Sequence, residues 1–154
     1  MRLTLAPLTP DAFATFGTVT PAPDTADGAA LGPARNLRPG VLPLLRWVVA
    51  QPLTLPATLS VMERHRFSSQ SFLPADPDGR WLVVVAPAGT GGPDMTRAQA
   101  FSASADQAIT YAPDVWHHPL ASLDAPLRMA LMTFIDGGPD DTEFFSLPVP
   151  VALG

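Results

Sequence analysis

The chain contains neither cysteine nor lysine. Without cysteine there is no disulfide, no thiol nucleophile and no thiolate metal site. All nine basic residues are arginine, which excludes a Schiff base to pyridoxal phosphate, a phosphate-loop lysine and a lysine general base. Neither a nucleotide nor pyridoxal phosphate is therefore expected as cofactor. Charge is scarce as well: 15% of residues are charged and the net charge is −5. No basic stripe exists to neutralise phosphates, so no nucleic-acid partner is expected. No run approaches the roughly 20 apolar residues of a membrane span. The opening Met1-Arg2-Leu3-Thr4-Leu5-Ala6-Pro7 reaches proline before an apolar signal region develops, which makes the cytoplasm the default expectation. What chemistry there is must come from His, Asp, Glu, Arg, hydroxyls or a metal.

What is present points to strands. At 154 residues and 47% hydrophobic content the chain is one domain long, residues 1–154, with ample material for a core. Nineteen prolines are more than twice the usual share of about 5%. Proline suits corners, strand starts and edges but not helix interiors. One short helix is expected near the N-terminus, with Thr9 as N-cap, Pro10 at the first helical position and Gly17 as the stop. Residues 21–40, rich in Pro, Gly and Ala, read as a long surface loop that could serve as a flap over a site. Beyond it the pattern predicts strands at 44–50, 58–66, 69–73, 80–86, 97–103, 108–111, 115–118, 127–135 and 142–147. Turn signals such as Asp76-Pro77-Asp78-Gly79 separate several of them. Short strands at this spacing mean a sandwich or a barrel.

The three histidines lie in two short segments, Glu63-Arg64-His65 through Gln70-Ser71-Phe72, and Trp116-His117-His118-Pro119. Imidazole is the commonest metal ligand and the usual base near neutral pH. On a regular strand side chains two apart share a face, so Leu59, Val61, Glu63 and His65 are expected on one face, Gln70 with Phe72 on another strand, and Trp116 with His118 on a third. His117 and His118 would then point to opposite faces. Alternation favours His118 inside, while Pro119 leaves room for an irregularity, and both remain candidates. Gln70 is notable because a buried amide must satisfy its hydrogen bonds, which a metal or a urea group could do. Arg64 would face away from Glu63 and His65, toward a salt bridge or a subunit contact. Arg46, Arg66, Arg97 and Arg128 are further candidates for an anionic substrate group.

The run Glu63-x-His65-x4-Gln70, followed by Pro113-Asp114-Val115-Trp116-His117-His118, resembles the two metal-binding elements of cupins. With Val83-Val84-Val85-Ala86-Pro87, Gln70-x-Phe72-x-Pro74, Trp116-His117-His118-Pro119-Leu120 and the opening Pro7-Leu8-Thr9-Pro10-Asp11-Ala12-Phe13-x2-Phe16-Gly17, the chain is similar to the ureidoglycolate lyase family through nearly its whole length. It departs from that family in three places. Only Arg35 and Asn36 stand where an Asn-rich stretch precedes an arginine, Gln99-Ala100-Phe101 replaces Arg-Ala-Phe, and Asp136-Gly137 replaces Asp-Arg.

The resemblance implies a mainly β fold, a cupin-like (RmlC-type) double-stranded β-helix barrel with one short N-terminal helix. It implies cleavage of ureidoglycolate to glyoxylate and urea, late in allantoin and purine breakdown. Catalytic candidates are His65, Glu63, His118 and His117. Substrate-binding candidates are Gln70, Arg64, Arg35, Phe72, Trp116 and Tyr111. A divalent metal, with nickel suggested by the family, would be held by Glu63, His65, Gln70 and His118, although such a mixed O/N set also suits Mn, Fe or Zn. The expected partners are a small carboxylate substrate and a second copy in a homodimer. Two alternatives stay open: hydrolysis of the same substrate with release of ammonia, and a non-catalytic cupin that binds a small organic acid.

Overall fold

A computed structural model describes residues 1–154. The strands are β1 (Arg2–Leu3), β2 (Leu5–Pro7), β3 (Gly17–Pro21), β4 (Pro43–Pro52), β5 (Ala57–Arg64), β6 (Gln70–Pro74), β7 (Arg80–Ala86), β8 (Ala88–Gly89), β9 (Gly92–Pro93), β10 (Gln99–Ser104), β11 (Gln107–Tyr111), β12 (Trp116–His117), β13 (Ala121–Ser122), β14 (Leu127–Phe134) and β15 (Glu143–Leu153). The one α-helix, α1 (Pro10–Phe13), begins as expected, with Thr9 accepting from the Ala12 amide and proline in the first turn. Gly17 does not end it; the helix closes at Ala14, and Gly17 opens β3. A Cβ at Gly17 would collide with the Thr110 carbonyl of the paired strand β11, so glycine is required there by close backbone approach.

Thirteen strands form one sheet: eleven follow the path β1-β15-β5-β12-β7-β13-β4-β14-β6-β11-β3, while β10 branches from β7 and β2 pairs with β10. The path folds back on itself so that β7 and β10 oppose β14, β6 and β11. Between them lies a first core, including Phe13, Phe72, Trp81, Val83, Val85, Tyr111, Met129 and Leu131. Leu82, Val84 and Ala86 point the opposite way into a second core with Leu59, Met62, Trp116, Val151 and Leu153. This explains why Trp81 to Ala86 reads as an unbroken apolar run: β7 is buried on both faces, as strands covered on both sides are.

Two sequence expectations fail locally. The strand expected from 97 begins at Gln99, because Asp94 caps a single 3-10 turn over Met95–Arg97. Leu59 does not share a face with Glu63: Leu59 and Met62 both enter the second core. The cause lies in the partner strand, where pairing jumps from Ser146↔Val61 to Val151↔Leu59. A bulge of this kind shifts which face each side chain takes.

Candidate active site

At one end of the first core three short elements meet. Glu63, near the end of β5, pairs in register with His117 of β12, and His117 pairs in turn with Val85 of β7. Cross-strand partners share a face, so Glu63 and His117 look into the same interior as Val85. His65 lies just past the end of β5 and turns inward, its ring centroid 5.5 Å from that of His117. One ligand atom from each of Glu63, His65 and His117 lies within 4.8 Å of the other two. Nε2 of His117 stands 3.5 Å from Oε1 of Glu63, longer than an ordinary hydrogen bond.

Each imidazole is held from behind by a backbone carbonyl. Nδ1 of His65 is 2.8 Å from the Asp141 carbonyl oxygen, and Nδ1 of His117 is 2.9 Å from that of Val115. A carbonyl only accepts, so both Nδ1 atoms carry a proton, and in the neutral rings both Nε2 atoms present lone pairs. Nε2 of His65 and of His117 are buried without a partner, as is Oε1 of Gln70. Two imidazole lone pairs and a carboxylate, packed together away from water, form an all-acceptor cluster that favours a cation. Histidines that ligate metals commonly donate the other ring N–H to a carbonyl or carboxylate in this manner, so Glu63, His65 and His117 fit a divalent ion.

Charge in the cluster follows from burial and proximity. Burial alone would raise the Glu63 carboxyl, but the adjacent His117, with His65 and His118 beyond it, outweighs that and holds it below its ordinary value. Burial and the neighbouring His117 depress His65, against the opposing pull of Asp141 and Glu63. His118 is depressed by burial too, against the opposing effect of the Pro119 carbonyl. Tyr111, stacked on His117 at 4.3 Å, is pushed far up by burial and then by the Glu63 charge, so its phenol stays protonated.

The sequence-derived candidates sort as follows. Glu63 and His65 stand together, and Gln70 pairs in register with Tyr111, the ring that covers His117. Phe72 lies in the first core, edge-on to Tyr111 at 6.2 Å. His118 is a correction: His117 completes the cluster in its place, while the His118 ring is bonded at Nδ1 to the Pro119 carbonyl, 2.7 Å away. The strand at 115–118 contracts to Trp116–His117, and register with Glu63 sets the face. Trp116 is a correction for the same reason, since it faces the second core. Arg64 leaves the site as well. Its guanidinium binds Glu143 at 2.8 Å and Asp114 at 3.0 Å and lies 4.4 Å over the Trp116 ring. Arg35 is exposed and lines a cleft of about 210 Å³ with Thr15, Pro33 and Ala112, and Arg97 lines another of about 520 Å³ with Gln99 and Asp114; neither cleft is lined by the cluster.

Residues 22–42, between β3 and β4, form no helix or named strand. Asn36 bridges to Ser68, and the backbone of Arg35 bonds Ser69 at both its N–H and its carbonyl. Reading the sequence missed Arg38 and Asp141. The Asp141 carboxylate accepts from Arg38 Nη2 at 2.8 Å and from the Gly137 amide at 2.7 Å. The signals were an arginine two residues beyond the lone asparagine and the run Asp140-Asp141-Thr142 after the Gly-rich turn.

The sequence model of the ureidoglycolate lyase family matches residues 1–153. The chain belongs to the ureidoglycolate lyase family. Relatives named ureidoglycolate lyase include one from Rhizobium leguminosarum bv. trifolii, 36% identical over 98% of this chain and 95% of the relative. Another, from Burkholderia mallei, is 37% identical over 98% of this chain and 91% of the relative. Among solved structures, a dTDP sugar isomerase from Desulfovibrio desulfuricans superposes with a TM-score of 0.50 at 17% identity, covering 86% of this chain and 82% of the isomerase. At that identity the likeness speaks for the fold alone, and the fold is the cupin-like β-barrel expected of an RmlC-type protein. No helix is long and apolar enough to cross a membrane.

Proposed function

We propose that the protein cleaves ureidoglycolate to glyoxylate and urea, with the Glu63–His65–His117 cluster as the reacting centre. The carrying observation is the buried all-acceptor trio, with both imidazoles locked by carbonyls so that Nε2 faces inward. The substrate is a carbinol-urea. Its hydroxyl proton must leave as the O–H pair becomes the carbonyl π bond, and the departing nitrogen keeps the C–N pair and takes a proton. The net change moves one proton from oxygen to nitrogen, so a single carboxylate beside both atoms can carry it. Glu63, held ionised by its neighbours, is the group for that transfer. Gln70 Oε1 is a buried acceptor without a partner, matched to the N–H groups of the urea moiety. Glu63, His65 and His117 would hold a divalent ion, and Gln70 Oε1, if it joined them as a further oxygen donor, would do so in place of binding the urea moiety. When bound, such an ion supplies Lewis acidity for the hydroxyl and positive charge for the substrate carboxylate. Nickel is the ion the family resemblance favours.

The test is product analysis: glyoxylate and urea should appear in equal amounts with no ammonia. Ammonia without urea would establish the hydrolase alternative, and binding without product the non-catalytic one. Family membership favours neither.

We further propose that the protein works as a homodimer through β4. That strand pairs with β13 only at Gln51 and Pro52, so the edge of its Pro43–Ala50 stretch is free. Its outward side chains Leu45, Trp47 and Val49 are 70%, 72% and 50% exposed, beside Ala130 and Met132 of β14. A long apolar edge strand of this kind calls for a partner strand.

A further inference from the structure

We infer that Arg38 and Asp141 act as a positioning pair, carrying the long loop onto the back of His65 and fixing the tautomer and aim of its imidazole. The inference rests on the proposed role of His65 at the reacting centre. His65 lies beyond the end of β5, where no strand ladder orients it. Its ring is directed by one bond, from Nδ1–H to the Asp141 carbonyl at 2.8 Å, with Thr142 Oγ1 3.3 Å from the same nitrogen. That carbonyl sits in the turn Asp136-Gly137-Gly138-Pro139-Asp140-Asp141 between β14 and β15, outside the sheet. The Asp141 side chain closes the turn by accepting from the Gly137 amide at 2.7 Å and the Asp136 amide at 3.1 Å.

Arg38 completes the arrangement from the other side. Its Nη2 donates to the Asp141 carboxylate at 2.8 Å and to the Phe134 carbonyl at 2.9 Å, and Nη1 lies 3.6 Å from Asp136. Asn36 sets its approach: the Asn36 side chain accepts from the Arg38 amide at 3.0 Å and donates to the Val41 carbonyl at 2.8 Å. Arg38 therefore stands on the Nδ1 side of His65, opposite the Nε2 lone pair that faces Glu63 and His117. The arginine Nε is buried with no partner, a cost that an ordinary surface ion pair does not carry. A side chain held at that cost, one residue removed from the ring's only backbone acceptor, is suited to aiming it.

The experiment uses full-length protein labelled with 15N-histidine, in which only three rings report. In the wild type, His65 should show one protonated and one bare ring nitrogen. In Arg38→Met and in Asp141→Asn, the two His65 resonances should move toward a common averaged position. Affinity for Ni²⁺ or Zn²⁺ added as simple salts should fall by about 10–100-fold, the range for loss of groups that orient metal-binding histidines. kcat should fall with it while KM stays nearly constant, and Arg38→Lys, which keeps charge but loses the fork, should recover part of each. Should Arg38→Met not fold, Arg38→Lys gives the same readouts in milder form. Unchanged His65 resonances and metal affinity in both variants, with only the melting temperature lowered, would overturn the inference. If the wild type releases no urea yet the resonances still respond, the positioning pair stands and the lyase reading fails.

Discussion

At the scale of the residue, the site is defined by which atoms lack partners. His65 Nε2, His117 Nε2 and Gln70 Oε1 are buried donor-seeking atoms, and the two imidazoles converge where Glu63 brings the only cluster carboxylate. His65→Ala should abolish urea release with the fold intact by circular dichroism. Glu63→Gln, which keeps the shape and removes the base, should lower kcat by about 10²-fold or more. A fully active Glu63→Gln variant would move the proton transfer elsewhere. The depressed His65 and His118 also set a pH dependence. Unfolded histidines take up protons near 6.5, whereas these native rings do so only at lower pH. Below 6.5 the unfolded chain therefore binds more protons and stability falls as pH falls, while above it the two rings contribute no slope. Urea-denaturation midpoints at about pH 7.5 and about pH 5.5 measure this; a higher midpoint at the acid value would refute the neutral, buried rings. Glu63 and His65 were legible from the sequence because their residue types announce chemistry. The choice between His117 and His118 was not, since adjacent residues on a two-residue strand take their faces from the partner strand's register.

At the scale of the element, local signals placed what local physics controls. The Thr9 cap and following proline mark α1, and the Val-rich stretch marks β7 to the residue. Leu59 leaves the expected face of β5, because a bulge in β15, about ninety residues later in sequence, resets the pairing. Gly17 illustrates a role that sequence reading assigned to the wrong element. Since a Cβ there would strike the Thr110 carbonyl, Gly17→Ala should cost about 2–3 kcal/mol through strain, read as a lowered denaturation midpoint. An unchanged midpoint would show that β3 and β11 can separate without penalty.

At the scale of the whole molecule, β4 is paired along its length with β14 but meets β13 only at Gln51 and Pro52, which leaves one side of its Pro43–Ala50 stretch without a partner strand. Replacing Leu45 and Trp47 together by glutamate should convert the proposed dimer to monomers in analytical ultracentrifugation, because two buried charges without partners oppose association. A double variant that sediments as the wild type does would remove this face from the contact. Composition and short-range pattern determined, without any coordinates, the β class, the short capped helix, the exclusion of thiol and lysine chemistry, and the concentration of reactive groups in two segments. These are properties of residue type and of neighbours a few positions away. The tertiary structure alone decided that His117 meets Glu63, that Trp116 turns into the second core and Arg64 away from the cluster, and that Arg38 and Asp141 stand behind His65. Those outcomes depend on strand register and loop closure between residues up to about a hundred positions apart, a distance over which no local periodicity carries information.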